Sequence, residues 1–313
     1  MTPLRVAFAG TPDVAVPTLE ALVRSTHEVV GVVTRPDAPA GRGRRLRESP
    51  VASAAISAGL PLVRPATLSD GAVDDVLDSW SPDLVVVVAS GLLIPDRLLV
   101  RPREGWINAH FSALPRWRGA APVQRAIAAG DATIAVTTFR IDAGLDTGPI
   151  LRRSEAIDIG DREDAGHLLG RLAEVAARVV VQTVDDLAHG SLTTSPQATV
   201  GVTYAPRIGT DDARVDWHQP VEDVDRWIRA CTPAPGAWSS LAGNRLRIGT
   251  PTNVVRDPEA VPGAIVAERS RVLVGASGGY VELGLVQPTG KKAMPAADWA
   301  RGFHGAPPAG FDA

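Results

Sequence analysis

Six consecutive apolar residues, Leu84-Val-Val-Val-Val-Ala89, place the tightest limit on how this chain can fold. Four β-branched residues in a row favour a strand. No polar residue alternates with them, so that strand must be covered on both faces, as in a parallel sheet with helices on either side. The run is also far too short for a membrane helix, which needs roughly 20 apolar residues.

The surrounding sequence repeats the pattern. Short apolar runs at 4–9, 28–34, 62–63 and 105–111 alternate with segments of helical spacing, the first carrying Val16, Leu19, Leu22 and Val23 on one face. This is βαβ order and predicts a Rossmann-like, mostly parallel sheet. Strands over 133–141 and 150–157 follow. A long amphipathic helix over 162–187, with Leu168, Leu172, Val175, Val179 and Val184 at helical spacing, ends the first domain. We expect a catalytic domain over 1–189, a Ser/Thr/Gly/Pro-rich linker over 190–208 and a second domain over 209–313. The second domain opens with a helix over 221–231. Short strands at 237–241, 246–248, 263–267, 271–274 and 280–287 then predict a small OB-like β-barrel.

Composition narrows the class. The 313 residues suffice for two cores, and 45% hydrophobic with 21% charged residues is ordinary for a soluble globular protein. A net charge of −3 argues against nonspecific nucleic-acid binding. Residues 35–47 differ, holding Arg35, Arg42, Arg44, Arg45 and Arg47 against Asp37 alone among Gly and Pro, which predicts a flexible basic loop. Cys231 has no partner for a disulfide, and the histidines lack zinc spacing, so a reducing compartment and no metal are expected. The N-terminus enters a strand without secretory features, which implies a cytoplasmic protein that does not span a membrane.

Two chemistry-bearing motifs sit where strands give way to loops, the edge at which open α/β sheets bind ligands. Asn108-Ala-His110 puts an amide and an imidazole on one face of a strand, and Asp142-Ala-Gly-Leu-Asp-Thr-Gly-Pro149 supplies the carboxylate of Asp146. An amine attacking a carbonyl generates an oxyanion, which Asn108 and a protonated His110 can stabilise while Asp146 orients the ring. No side-chain nucleophile is needed. Gly10-Thr-Pro-Asp13, after the first strand, lacks the dinucleotide and Walker fingerprints and reads as a tight turn with Asp13 capping the helix.

Together with Phe8-Ala-Gly-Thr-Pro12, Arg35-Pro-Asp37, Pro39-Ala-Gly-Arg-Gly43, Leu114-Pro-Arg-Trp-Arg-Gly-Ala-Ala-Pro122 and Gln287-Pro-Thr-Gly-Lys-Lys-Ala-Met294, these motifs resemble the methionyl-tRNA formyltransferase family over nearly the whole chain. The resemblance implies formyl transfer from 10-formyltetrahydrofolate to the α-amino group of methionyl-initiator tRNA by a monomer without a metal. It also implies catalytic roles for Asn108, His110 and Asp146, a folate site at Ser112, Ala113, Leu114 and Pro115, and a tRNA-binding second domain. Phe111-Ser-Ala-Leu-Pro115 departs from the family's usual Gly-Ser-Leu-Leu-Pro, which bears on local contacts there. Placement of the basic loop at the active-site edge makes Arg42, Arg44 and Arg45 candidates for RNA contact. The alternative is another 10-formyltetrahydrofolate-dependent formyltransferase or hydrolase acting on a small amine.

Overall fold

The computed structural model describes residues 2–40, 45–71, 73–303 and 309–312. The chain forms two compact units, one built from Met1–Gly119, Ala135–Ile157 and Leu169–Tyr204, the other from Ala120–Ile134, Asp158–Leu168 and Ala205–Ala313.

In the first unit the apolar runs become the strands of one sheet. They are β1 (Arg5–Gly10), β2 (Glu28–Val33), β5 (Leu62–Val63), β6 (Leu84–Val88) and β7 (Trp106–His110), joined by β9 (Thr137–Arg140) and β10 (Ile150–Arg153). The strands β3 (Ala38–Ala40), β4 (Arg45–Arg47) and β8 (Thr133–Ile134) lie outside this sheet. The order is β10-β9-β7-β6-β1-β2-β5, with β1, β2, β5, β6 and β7 parallel and with β9 and β10 each antiparallel to its neighbour.

All five residues of β6 are buried, as its unbroken apolar character requires. One face of the sheet, carrying Ala7, Ala9, Val85, Val87 and Trp106, packs on Leu68, Leu77 and Leu98. The crossover helices α1 (Val16–Arg24), α2 (Pro50–Ser57), α3 (Asp74–Trp80) and α4 (Asp96–Leu99) follow the expected alternation. From Leu169 onward, the long helix Ala165–His189 is tied to the sheet by Thr183 Oγ1 against Thr138 Oγ1 at 2.9 Å and by Asp185 Oδ1 against His27 Nε2 at 3.0 Å. Asp13 lies within a short 3-10 turn before α1 rather than at a helix N-cap, and its carboxylate accepts the Val14 N–H.

The described flanks of the basic loop are more ordered than its composition suggests. Its flanks pair as the antiparallel hairpin β3–β4, and Arg64 closes the base by bonding Asp37 Oδ1 at 2.7 Å and Glu48 Oε1 at 3.1 Å. Arg42 and Arg44 lie outside the described residues, as does the side chain of Arg45.

The strands of the second unit are antiparallel, in two four-stranded sheets. One contains Trp238–Leu241, Asn244–Ile248, Leu285–Pro288 and Met294–Pro295; the other contains Asn253–Arg256, Gly279–Glu282, Val272–Ala276 and Ile265–Ala267. Both contribute to one core with Trp217, Val224, Ile228 and Cys231. Burial pushes the Cys231 thiol up to about 12, so it packs as a neutral apolar group. Where the sequence predicts one strand over 280–287, the chain breaks between Glu282 and Leu285. A Cβ on Gly284 would stand 2.7 Å from the Thr250 carbonyl, so the glycine permits that close crossing. Among the described residues no helix is long and apolar enough to cross a membrane.

One buried ion pair in this unit gives a stability test. Asp225 is 4 % exposed, and its carboxylate receives Arg229 Nε at 2.9 Å and Arg162 Nη2 at 2.7 Å. Replacing Asp225 with Ala strands the Arg229 charge, which is 7 % exposed, in an apolar setting. Chemical denaturation of Asp225→Ala should therefore show a loss of about 3 kcal/mol or more.

Candidate active site

The register of β7 fixes the site. Asn108 lies beside Val87 of β6 and Phe139 of β9, and His110 pairs with Thr137 of β9. Two residues apart on one strand, Asn108 and His110 share a face. His110 is 5 % exposed, whereas Asn108 is only partly buried. No hydrogen bond engages the Asn108 carboxamide among the described residues, so its donor remains free for a ligand.

After His110 the chain coils tightly. The Ser112 carbonyl receives Thr137 Oγ1 at 2.7 Å, the Ser112 hydroxyl donates to the Arg116 carbonyl at 2.6 Å, and the Arg116 N–H reaches the Ala113 carbonyl at 3.1 Å. The coil returns the Trp117 carbonyl to His110 Nε2 at 2.7 Å. A carbonyl can only accept, so Nε2 carries a proton and Nδ1 of the neutral ring holds the lone pair. Of the expected folate residues, Ser112 and Leu114 are fully buried while Ala113 and Pro115 are half-buried. The Leu114 carbonyl accepts from Arg153.

Asp146 arrives from the loop between β9 and β10. Its Oδ2 accepts the Gly119 N–H at 2.8 Å and stands 3.7 Å from His110 Nδ1, beyond hydrogen-bond length. Burial lowers the His110 pKa from its ordinary 6.5, and although Asp146 and the Trp117 carbonyl pull the other way, burial prevails. The ring is neutral near pH 7, with its basic nitrogen toward a carboxylate.

The Asp146 loop is held from several sides. Asp142 Oδ1 accepts from the Gly144 N–H at 3.1 Å and from the Thr147 hydroxyl at 2.6 Å. A Cβ on Gly148 would fall 1.7 Å from the Arg140 carbonyl, so only glycine fits. Asp146 itself adopts φ 51°, a left-handed conformation that an L-residue keeps only when its surroundings enforce it.

Residues that composition marks as linker supply part of this enforcement. Gln197 Nε2 donates to the carbonyls of Asp146 at 2.8 Å and Gly148 at 2.9 Å, and its Oε1 receives Arg118 Nε at 3.1 Å and Nη2 at 2.7 Å. Thr203 Oγ1 accepts the Trp117 N–H at 2.8 Å. Arg118, Thr147, Gln197, Val202 and Tyr204 line a cleft of about 420 Å³ beside the loop. No sequence signal marks Gln197 or Thr203, since both sit in a stretch without periodicity.

The formyl transferase family model matches residues 4–184, and the formyl transferase C-terminal domain matches 207–304. The chain is 53% identical over 300 residues to a methionyl-tRNA formyltransferase of Thermobifida fusca, covering 96% of each chain. The chain belongs to the methionyl-tRNA formyltransferase family. It is also 50% identical to the methionyl-tRNA formyltransferase of Acidothermus cellulolyticus, over 99% of this chain and 100% of the relative. Among solved structures it shares its fold with the sugar 3N-formyl transferase WlaRD, at a TM-score of 0.65 and 16% identity, covering 93% of this chain and 100% of that one. Another such structure is HypX from Aquifex aeolicus, in complex with tetrahydrofolic acid, at a TM-score of 0.64 and 17% identity. The match covers 95% of this chain and 47% of HypX.

Two measurements test this family member's site. Gly148→Ala should stay folded while formyl transfer falls by ~10- to 100-fold, the scale of misplacing a reacting group by about an ångström. The second concerns pH. Because folding depresses the His110 pKa, the folded state binds fewer protons than the unfolded chain below pH 6.5, and acidification must cost stability. Thermal midpoints measured across that range should fall more steeply for the wild type than for His110→Gln.

Proposed function

We propose that Asn108, His110 and Asp146 are the groups with which this enzyme transfers the formyl group of 10-formyltetrahydrofolate to the α-amino group of methionyl-initiator tRNA. The observation that carries the reading is the 3.7 Å approach of Asp146 Oδ2 to His110 Nδ1 at the end of the strand that also presents Asn108. The methionyl-tRNA formyltransferase names of relatives near half identity over nearly full length support the substrate.

The chemistry follows from the protonation states. The neutral amine attacks the formyl carbon, a new C–N bond forms, and negative charge collects on the formyl oxygen. Asn108 Nδ2 donates to that oxygen. His110 Nδ1, the basic nitrogen without a proton, takes the proton released by the amine, and the Asp146 carboxylate and Trp117 carbonyl offset the charge on the resulting imidazolium. As the intermediate collapses, the bond between the formyl carbon and N10 breaks, and N10 leaves with a proton. Burial that lowers the His110 pKa brings proton return to N10 within easy reach. The turn at Ser112, Ala113, Leu114 and Pro115 meets the folate mainly through its backbone, because two of those side chains are buried.

Arg42, Arg44 and Arg45 contact RNA phosphates in this reading. Residues 209–313 form the tRNA-binding domain, reached through the 190–208 linker. We read the enzyme as a cytoplasmic monomer.

Asn108→Ala and His110→Ala should each lower kcat by at least ~100-fold without unfolding the protein, the scale for one lost oxyanion donor in the first and for a lost general base in the second. Unchanged turnover in either would overturn its assignment. Incubation with 10-formyltetrahydrofolate and either initiator or elongator methionyl-tRNA should formylate the initiator alone. Neutralising Arg42, Arg44 and Arg45 together should flatten the salt dependence of tRNA binding by up to about three charges.

A further inference from the structure

We propose that Gln197 is a positioning residue for the transfer reaction, acting through Asp146. The inference rests on the reading that the Asp146 carboxylate takes part in formyl transfer.

Between Thr193 and Gly201 every residue but Gln197 is exposed, and Gln197 alone turns inward. Its amide is fully committed, with both N–H groups given to the carbonyls of Asp146 and Gly148 and the oxygen receiving two donors from Arg118. This arrangement has only one orientation. Reversing the amide would set its oxygen against two carbonyls and its N–H groups against a guanidinium.

The partners give these bonds their significance. Asp146 is the residue held at φ 51°, and its carbonyl is the one that Gln197 grips. Its carboxylate is held by the Gly119 N–H, the residue next to Arg118. Main chain and side chain of Asp146 are therefore referenced to one dipeptide, Arg118-Gly119, the first through Gln197 and the second directly. Rotation of the loop would swing Oδ2 away from His110 Nδ1, and Gln197 blocks that rotation. The residue touches no reacting atom in this scheme.

The experiment is an epistasis measurement with 10-formyltetrahydrofolate and methionyl-initiator tRNA. Gln197→Met keeps the length of the side chain and removes all four hydrogen bonds. It should lower kcat by ~10- to 100-fold, the cost of displacing a reacting group by about an ångström, with the KM of either substrate and the thermal midpoint little changed. Introduced into Asp146→Asn, which has no carboxylate left to place, the same change should cause no further loss. Gln197→Glu keeps both bulk and the Arg118 contact but sets an oxygen against the two carbonyls. It should reproduce the loss in kcat, and it serves as the folded variant if Gln197→Met does not fold.

An equal loss on the wild-type and Asp146→Asn backgrounds would assign Gln197 to general scaffolding and overturn the inference. So would wild-type turnover in both Gln197 variants beside a disabled Asp146→Asn, with the role of Asp146 intact. Wild-type turnover in Asp146→Asn itself would remove the reading on which the inference stands.

Discussion

The position of β7, between a parallel neighbour on one side and an antiparallel one on the other, governs the rest of the site. The β6 strand pairs with it in parallel, setting Val85 beside Trp106, Val86 beside Ile107 and Val87 beside Asn108. The β9 strand then pairs with the candidate site residues, opposing Phe139 to Asn108 and Thr137 to His110. A side chain at the tip of a strand held from both sides has little freedom to wander. The fold thus positions an amide and an imidazole by backbone hydrogen bonds, before any side-chain contact is made.

Electrostatics completes what geometry begins. His110 is buried enough to resist a charge, yet both ring nitrogens face acceptors, a carbonyl at Nε2 and a carboxylate near Nδ1. The two influences oppose each other, with burial ahead at rest. A group in that condition changes its protonation readily when a nearby charge develops, which suits a site where charge appears and vanishes within one turnover. The 3.7 Å gap to Asp146 fits the same picture, because a short bond would hold the proton too firmly.

How much of this could be read in the residue order depends on the range of the signal. The parallel sheet was legible because Leu84–Val88 and its companion runs encode burial directly, and the antiparallel second unit because its strands are short and punctuated by glycine and proline. Asn108, His110 and Asp146 were legible through their spacing and the motifs around them. The hairpin inside the basic segment was not, since its closure depends on Arg64, well beyond the reach of local patterning. Gln197 was invisible for a similar reason. A lone glutamine in an irregular stretch has no periodicity to betray it, and its role comes from partners about fifty and eighty residues away in sequence. The resting charge of His110 could not be read from the chain, because desolvation follows from the folded surroundings and not from the residues beside it.

The lacing of the stretch from Ser195 to Ala205 carries a consequence for how such chains can diverge. Ser195 exchanges backbone hydrogen bonds with Ile150, Thr203 receives one from Arg118, and Ala205 accepts from Ala121. At those anchors there is no slack for an added or deleted residue, whereas the exposed residues 198–201 between them can absorb one. Before Ser195, Gly190 and Ser191 bond only back to the end of the preceding helix. Length variation among descendants of this sequence should therefore gather at 190–194 and 198–201, while the anchoring positions keep their spacing to the strands and turns they bind.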